Sequence, residues 1–232
     1  MKVVVVDYGM GNLRSVAKAV ERVAPAAQVL VSDQAQALLD ADRVIIPGQG
    51  AMHDCMREFM ARGLHDALLK AAAEKPFLGI CVGMQMLFDH SEEGDTKGLG
   101  ILPGRVRRFR GDMVDAQGVP LKVPHMGWNQ VVPVAPHPLW EGMAVNATVA
   151  DGGDGGKSDA AGNGETEGER FYFVHSYYCD PADKAATAAV TRYGTPFTCA
   201  VAQANIAAIQ FHPEKSAAAG LRLLANFIDW QP

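Results

Sequence analysis

One cysteine lies in a sequence context that favours nucleophilic chemistry. Residues 79–83 read Gly-Ile-Cys-Val-Gly, and Cys81 separates an apolar run over residues 77–80 from a run with helical spacing over residues 82–88. A reactive side chain with small residues two positions before and after it is typical of a nucleophile elbow, the sharp turn between a strand and a helix. Backbone N–H groups at the start of that predicted helix favour the thiolate form of Cys81. The pattern therefore predicts an enzyme with a cysteine nucleophile.

A candidate proton carrier for this thiol lies near the other end of the chain, where His212 is followed by Pro213 and Glu214. Proline favours an extended backbone in the residue before it, and residues two apart in an extended chain project to the same side. We therefore expect Glu214 to face His212, so that the carboxylate fixes the imidazole tautomer and stabilises its protonated form. With Cys81 these residues give a candidate catalytic triad. The alternatives are an inert buried cysteine and a histidine that is only hydrogen-bonded.

Strand-like and helix-like segments alternate in the first half of the chain. Four apolar, strand-like runs occupy residues 3–6, 28–31, 44–46 and 77–80, and helical patterns follow them over residues 13–23, 33–39, 52–73 and 82–88. Repeated strand and helix units predict a parallel sheet flanked by helices, with functional sites at the carboxyl ends of the strands.

The second half has a different texture, because short β-rich segments follow one another with few helices between them after Gly98. The predicted fold class is α/β, with a mostly parallel central sheet flanked by helices and an additional antiparallel portion in the C-terminal half. A closing amphipathic helix over residues 216–230, with Ser216 as its N-cap, and a single domain over residues 1–232 complete the prediction. Residues 151–168 are glycine-rich and acidic, which favours a mobile surface insertion.

Composition narrows the class of protein. The 232 residues are 48% hydrophobic and 20% charged, which is sufficient for a large core without a metal or a disulfide. A formal net charge of −5 argues against a nucleic-acid partner, which favours a basic surface. The four cysteines form no C-x-x-C pair, and the sequence shows neither a signal-peptide pattern nor an apolar run of about 20 residues. These features predict a cytoplasmic protein that binds no membrane. No spacing of cysteines and histidines predicts a metal site.

The string over residues 79–85, combined with His212-Pro213-Glu214, resembles the class I (triad) glutamine amidotransferases over nearly the whole chain. Four further strings are similar to the glutaminase subunits of imidazole glycerol phosphate synthases: D-Y-G-M-G-N-L at residues 7–13, P-G-Q-G at 47–50, H-M-G-W-N at 125–129 and F-V-H-S-Y at 173–177. The resemblance implies hydrolysis of glutamine to glutamate and ammonia without a cofactor. It also implies a heterodimer with a cyclase subunit of (β/α)8 architecture. That subunit would use the ammonia to make imidazole glycerol phosphate and an aminoimidazole carboxamide ribotide in histidine biosynthesis.

The same resemblance implies roles for individual residues. Cys81 would attack the side-chain amide of glutamine, and His212, oriented by Glu214, would transfer protons. The implied oxyanion hole comprises the N–H of Val82 and an N–H from the loop of Gly48, Gln49 and Gly50. The implied substrate-binding residues are Gln85, Ser176 and Tyr177, and the implied partner interface contains Asn12, Trp128 and Tyr172. One position departs from the family pattern: many relatives carry valine where this chain has Gln49, which leaves open how this loop rearranges when the partner binds its ligand.

Three alternatives remain open from the sequence. A different triad glutaminase, such as the one that supplies ammonia for pyridoxal phosphate synthesis, would share the elbow. A catalytically silent module could retain the fold and the partner surface. Residues 9–12 imitate part of a dinucleotide fingerprint, but position 14 is arginine where that fingerprint has its third glycine.

The glycine and asparagine next to Trp128 predict that this residue lies on a loop. An exposed aromatic ring on a loop would serve as an interface anchor.

Overall fold

The computed structural model describes residues 1–143 and 168–232. Strands in these residues form one sheet in the order β2-β1-β3-β4-β13-β12-β10-β7-β5-β6, to which β11, β8 and β9 are attached. Their bounds are β1 Lys2–Val6, β2 Gln28–Ser32, β3 Arg43–Gly48, β4 Phe77–Cys81, β5 Phe88–Ser91, β6 Thr96–Lys97, β7 Leu102–Arg108, β8 His125–Pro133, β9 Glu169–His175, β10 Tyr177–Pro181, β11 Thr187–Tyr193, β12 Thr195–Gln203 and β13 Ile206–Ile209. The insertion predicted over residues 151–168 lies outside the described residues, except for Gly168.

Strands β2, β1, β3 and β4 are parallel, as the sequence predicted for the first half. Strand β13, from the second half, also pairs parallel with β4. Strands β3, β4 and β13 are buried along their whole length, which explains their continuous apolar composition. Because carboxyl ends of parallel strands meet at one edge of a sheet, Gly48 at the end of β3 lies beside Cys81 at the end of β4. His212 follows β13, the neighbour of β4 on the other side.

The helices are α1 Leu13–Val23, α2 Ala35–Leu39, α3 Met52–Ala61, α4 His65–Glu74, α5 Val82–Gln85 and α6 Ala217–Asp229. Two predictions about them were wrong. The single helix predicted over residues 52–73 is two helices, because Gly63 adopts a φ of +64°, which ends a helix. The helix predicted over residues 82–88 ends after four residues at Gln85, and β5 begins at Phe88. Residues 84–88 are all buried, so their apolar run reflected burial on every side and not one helical face.

The C-terminal half contains the predicted antiparallel portion. Strands β13, β12, β10 and β7 pair antiparallel in succession, and β8 pairs antiparallel with β9. The predicted loop around Trp128 was wrong, because Trp128 lies within β8 opposite Tyr172 of β9. Gly127 adopts a φ of +136° inside this strand, so the glycine accommodates an irregular strand and does not mark a turn. None of the helices in residues 1–143 and 168–232 is long and apolar enough to cross a membrane.

Candidate active site

Cys81 occupies the sharp turn between β4 and α5. Its φ of 56° and ψ of −114° are rare for a residue with a side chain, and such strain is common at functional sites. The small residues around it have a steric cause: a Cβ on Gly83 would lie 1.9 Å from the carbonyl oxygen of Ile46, and one on Gly79 would lie 3.0 Å from the carbonyl oxygen of Gly83. The turn can pack against β3 only with glycine at position 83.

His212 and Glu214 lie next to each other beyond the end of β13. Nδ1 of His212 is 3.0 Å from Oε1 of Glu214, and the two side chains are 3% and 1% exposed. The predicted contact is present, but its cause differs, because residues 213–215 form a short 3-10 turn instead of an extended chain. Ser216 does not cap α6 with its side chain. Its hydroxyl donates to the carbonyl of His212 at 2.6 Å and accepts from the backbone N–H of Tyr172 at 3.0 Å, which fixes the turn.

The charge state of His212 depends on its two neighbours. Burial lowers the pKa of His212, but the interactions of the ring with Cys81 and Glu214 raise it by a larger amount. The net result is a pKa of about 10. This direction favours an imidazolium at His212 near neutral pH. Nδ1 faces Glu214, whereas Nε2 is buried without a hydrogen-bond partner among the described residues. Nε2 is therefore the ring nitrogen available for proton transfer to a substrate.

A cavity of about 310 Å³ brings most of the predicted residues together. Its lining includes Cys81, His212, Val82, Gln49, Gly50, Gln85, Ser176 and Tyr177. Gly48 lies beneath this surface, where a Cβ would be 2.6 Å from the backbone nitrogen of Gly83. Glu214 is not among the described residues that line the cavity, but it contacts His212, which is. A larger cavity of about 590 Å³ is bounded by residues 133–141, and none of the described residues that line it is a predicted site residue.

Two buried side chains that sequence reasoning missed hold the loop that closes this cavity. The Tyr8 hydroxyl donates to the carbonyl of Pro47 at 2.8 Å, and the Cys55 thiol donates to the carbonyl of Gln49 at 3.5 Å. Burial raises the pKa of Cys55 to about 11, so at neutral pH this thiol is protonated and acts as a donor. Cys55 is therefore a structural thiol, in contrast to Cys81.

Gln210 is a further cavity residue that was not predicted from the sequence, and its Nε2 lies 3.7 Å from the sulfur of Cys81. The alternation of side chains that was applied to His212 and Glu214 would have indicated it, because Gln210 precedes His212 by two residues. His175, Glu93, Pro124 and Val174 line the cavity as well. His175 belongs to the F-V-H-S-Y string, but no role for it was predicted from the sequence.

The residues expected at the partner interface differ in their exposure and in their contacts. Trp128 is 46% exposed and Met126 61% exposed, and the Trp128 ring meets Tyr172 edge to face at 6.2 Å. We refer to Met126, Trp128 and Tyr172 as the Trp128 patch. Asn12 contacts the candidate triad directly, since its Nδ2 donates to Oε1 of Glu214 at 3.4 Å.

Comparisons with known proteins agree with this fold and site. The family model described as glutamine amidotransferase class-I matches residues 4–230. The imidazole glycerol phosphate synthase subunit HisH of Aromatoleum aromaticum is 58% identical over 231 residues, which cover 99% of each chain. The protein of the same name from Thiobacillus denitrificans is 55% identical, covering 99% of this chain and 92% of the relative.

Solved structures show the same fold at lower sequence identity. One described as a glutamine amidotransferase superposes with a TM-score of 0.66 at 18% identity over 97% of both chains. The PurLQS structure from Thermotoga maritima gives a TM-score of 0.64 at 17% identity, covering 98% of this chain and 97% of that one. The chain therefore belongs to the class I glutamine amidotransferases and, within that class, to the family of imidazole glycerol phosphate synthase subunits HisH.

Proposed function

We propose that this chain hydrolyses glutamine with a triad of Cys81, His212 and Glu214 and delivers the ammonia to a cyclase subunit, which makes imidazole glycerol phosphate and an aminoimidazole carboxamide ribotide in histidine biosynthesis. The observation that carries the proposal is the strained Cys81 elbow, which shares a cavity of about 310 Å³ with a buried histidine held by a carboxylate. Membership of the HisH family supports the choice of glutamine and of the pathway.

In the first half-reaction the Cys81 thiolate attacks the side-chain carbonyl carbon of glutamine. The carbonyl π electrons move to oxygen, and the resulting oxyanion accepts hydrogen bonds from the N–H of Val82 and from an N–H of the loop over residues 48–50. Such preorganised donors contribute on the order of 10²-fold or more each. His212 gives its Nε2 proton to the amide nitrogen, ammonia departs, and a γ-glutamyl thioester remains on Cys81.

In the second half-reaction water cleaves the thioester. Nε2 of His212, now deprotonated, removes a proton from water as the oxygen attacks the thioester carbonyl. Collapse of the tetrahedral intermediate expels the Cys81 thiolate and releases glutamate. Glu214 stays ionised throughout and stabilises the imidazolium that forms, so its contribution is to orient His212 and to hold its charge.

The partner is a cyclase subunit, for which we propose (β/α)8 architecture and docking at the Trp128 patch and at Asn12. The exposure of two large apolar side chains on β8 supports the first contact. Asn12 touches Glu214, so a partner that contacts Asn12 would lie within one side chain of the triad. We further propose that residues 1–232 form a single amidotransferase domain. We also propose that it works in the cytoplasm, since all four cysteines are free thiols.

Glutaminase activity of the purified chain, alone and with a cyclase subunit and its nucleotide ligand, tests this function. Wild-type protein with partner and ligand is expected to release glutamate, and Cys81→Ala is expected to abolish the release. Cys179→Ala is the matched control, because it makes the same change at a buried thiol outside the cavity lining. An electrophilic glutamine analogue should label Cys81 alone.

Other results would contradict the proposal. An unlabelled Cys81 together with no glutamate release would favour a catalytically silent module. A lone chain as active as the complex would contradict control by the partner, and stimulation by a pyridoxal phosphate synthase in place of the cyclase would contradict the assigned pathway.

A further inference from the structure

Resting on the proposed glutaminase function, we propose that a chain of buried and partly buried hydrogen bonds running from Asn129 on β8 to the sulfur of Cys81 positions the nucleophile and the substrate-binding edge of the cavity. We call this chain the Asn129 network. Its members are Asn129, His125, His175, Gln85 and Gln210, joined through the backbone carbonyl of Tyr177.

The first half of the Asn129 network consists of two histidines in series. Nδ2 of Asn129 lies 3.2 Å from Nε2 of His125, Nδ1 of His125 lies 3.0 Å from Nε2 of His175, and Nδ1 of His175 lies 2.7 Å from the carbonyl oxygen of Tyr177. Both histidines are buried, with exposed fractions of 3% and 6%. The series therefore connects one strand of the Trp128 patch to the rim of the active-site cavity.

The direction of these bonds is fixed independently from both ends. At the far end, the amide of Asn129 donates from Nδ2 to the carbonyl of Arg192 at 2.9 Å and accepts at Oδ1 from the N–H of Gln130 at 2.8 Å, so its nitrogen must face His125. At the near end, the carbonyl of Tyr177 can only accept, so Nδ1 of His175 must carry a proton. Both constraints give the same answer: each histidine is protonated on Nδ1 and accepts on Nε2.

The surroundings keep the two histidines neutral. His125 is stacked between Phe173 and Tyr193 at centroid distances of 4.8 and 4.1 Å, and Phe109 lies 5.2 Å from His175. Burial lowers the pKa of His125 to about 4 and that of His175 to about 3. Neither ring therefore gains a second proton near neutral pH, and the pattern of donors and acceptors persists.

The second half of the Asn129 network reaches the nucleophile. Nε2 of Gln85 donates to the same carbonyl of Tyr177 at 3.3 Å and to Oε1 of Gln210 at 3.1 Å. This arrangement leaves the amide nitrogen of Gln210 facing the sulfur of Cys81 at 3.7 Å as a donor. A donor aimed at the sulfur favours the thiolate and restricts its position, and α5, with four residues, is too short to do so through a helix dipole.

The Asn129 network also explains two family strings that have few residues in the proposed mechanism, H-M-G-W-N and F-V-H-S-Y. The H-M-G-W-N string places His125 and Asn129 on the inner face of β8 and Trp128 on its exposed face, and the F-V-H-S-Y string supplies His175 and the Tyr177 carbonyl. Alternation along β8 thus joins a surface anchor to a buried positioning chain.

Two measurements test the proposal. The first is the tautomeric state of the histidines, read from ¹⁵N chemical shifts of the histidine-labelled wild-type chain and assigned with single variants. His125 and His175 are expected as neutral Nδ1–H tautomers that do not titrate between pH 6 and pH 8. An Nε2–H tautomer or a titration near pH 6.5 at either residue would overturn the proposal, and this result does not depend on enzyme activity.

The second is the reactivity of Cys81 in the complex with the cyclase subunit. In Gln210→Glu a carboxylate replaces the donor facing the sulfur, so alkylation of Cys81 at pH 7 is expected to slow about tenfold and its pH profile to move up by about one unit. Gln203→Glu is the matched control, because it makes the same charge change at an exposed position at the end of β12. Equal alkylation profiles of the two variants would refute the role of Gln210.

Variants of His125 separate positioning from folding. His125→Phe keeps the stacked ring but removes both hydrogen bonds, and is expected to raise KM for glutamine about tenfold with a smaller change in kcat. His125→Asn restores a donor near the Nδ1 position and should recover part of the lost affinity. Loss of activity in the two variants to the same degree would indicate a merely structural role. If wild-type protein with its partner hydrolyses no glutamine, the proposed function fails, whereas the tautomer result still decides the network.

Discussion

The substitution Gly83→Ala tests the physical basis of the elbow most directly. The added Cβ would lie 1.9 Å from the carbonyl oxygen of Ile46, whereas real Cβ contacts are essentially never shorter than 3.0 Å. The turn after Cys81 and strand β3 would therefore have to separate by about 1.1 Å. Gly83 belongs to the buried helix α5 and Ile46 to the buried strand β3, and the clash is between backbone atoms, so no flexible side chain can absorb this displacement.

The expected cost has two parts. Overpacking of this kind destabilises a protein by about 1–3 kcal/mol, which should appear as a lower midpoint of urea unfolding. A displacement of about 1 Å between nucleophile and oxyanion donors costs on the order of 10²-fold in rate, which should appear in kcat for glutamine hydrolysis in the complex. The loss of activity in Gly83→Ala should therefore exceed the loss that unfolding alone explains at the assay temperature.

Gly111→Ala is the matched control, because a Cβ at this exposed position meets nothing within 4 Å and its φ does not lie in the left-handed region. This variant should retain wild-type stability and activity. Wild-type kcat in Gly83→Ala would refute the steric account of the elbow, and equal effects in the two variants would show that neither glycine has a specific role.

Three further outcomes are expected. Glu214→Gln removes a charge that raises the pKa of His212, so this pKa should fall below about 10 and kcat should drop by on the order of 10²-fold or more; a wild-type pH profile would contradict the assigned role. The pKa values of His125 and His175 are lower in the folded chain than in the unfolded chain. As the pH falls below about 6.5, these two histidines therefore bind protons in the unfolded chain but not in the folded one. Stability should thus decline by about 2 kcal/mol per histidine between pH 7 and pH 5, and a urea-unfolding series should show a smaller decline in H125F/H175F. Trp128→Ala should weaken binding of the cyclase subunit by at least tenfold in calorimetry. The urea-unfolding midpoint should stay constant, because the ring is 46% exposed. Unchanged affinity would show that this residue does not belong to the interface.

The sequence predicted the fold class and the family correctly because both depend on local patterns. Runs such as residues 3–6 and 44–46 are continuous and apolar, which is typical of strands buried on both faces. The short helix α5 was overestimated for the same reason: residues 84–88 are buried on every side, so periodicity could not distinguish a helix from the start of β5. The loop predicted around Trp128 failed because a glycine inside a strand resembles a turn in sequence.

The amino-acid sequence specifies which residue types are available for chemistry, their order along the chain and the family to which the chain belongs. Which of these residues come into contact depends on how the strands and helices pack. Gln210 and His175 looked like ordinary strand residues, and Cys55 like any other cysteine. Gln210 contacts the Cys81 sulfur, which is distant in sequence. His175 and Cys55 contact the carbonyls of Tyr177 and Gln49, which are near in sequence and are brought close by a bend of the backbone. Hydrogen bonds of this kind depend on sub-ångström placement of several strands at once, and no local pattern encodes that placement.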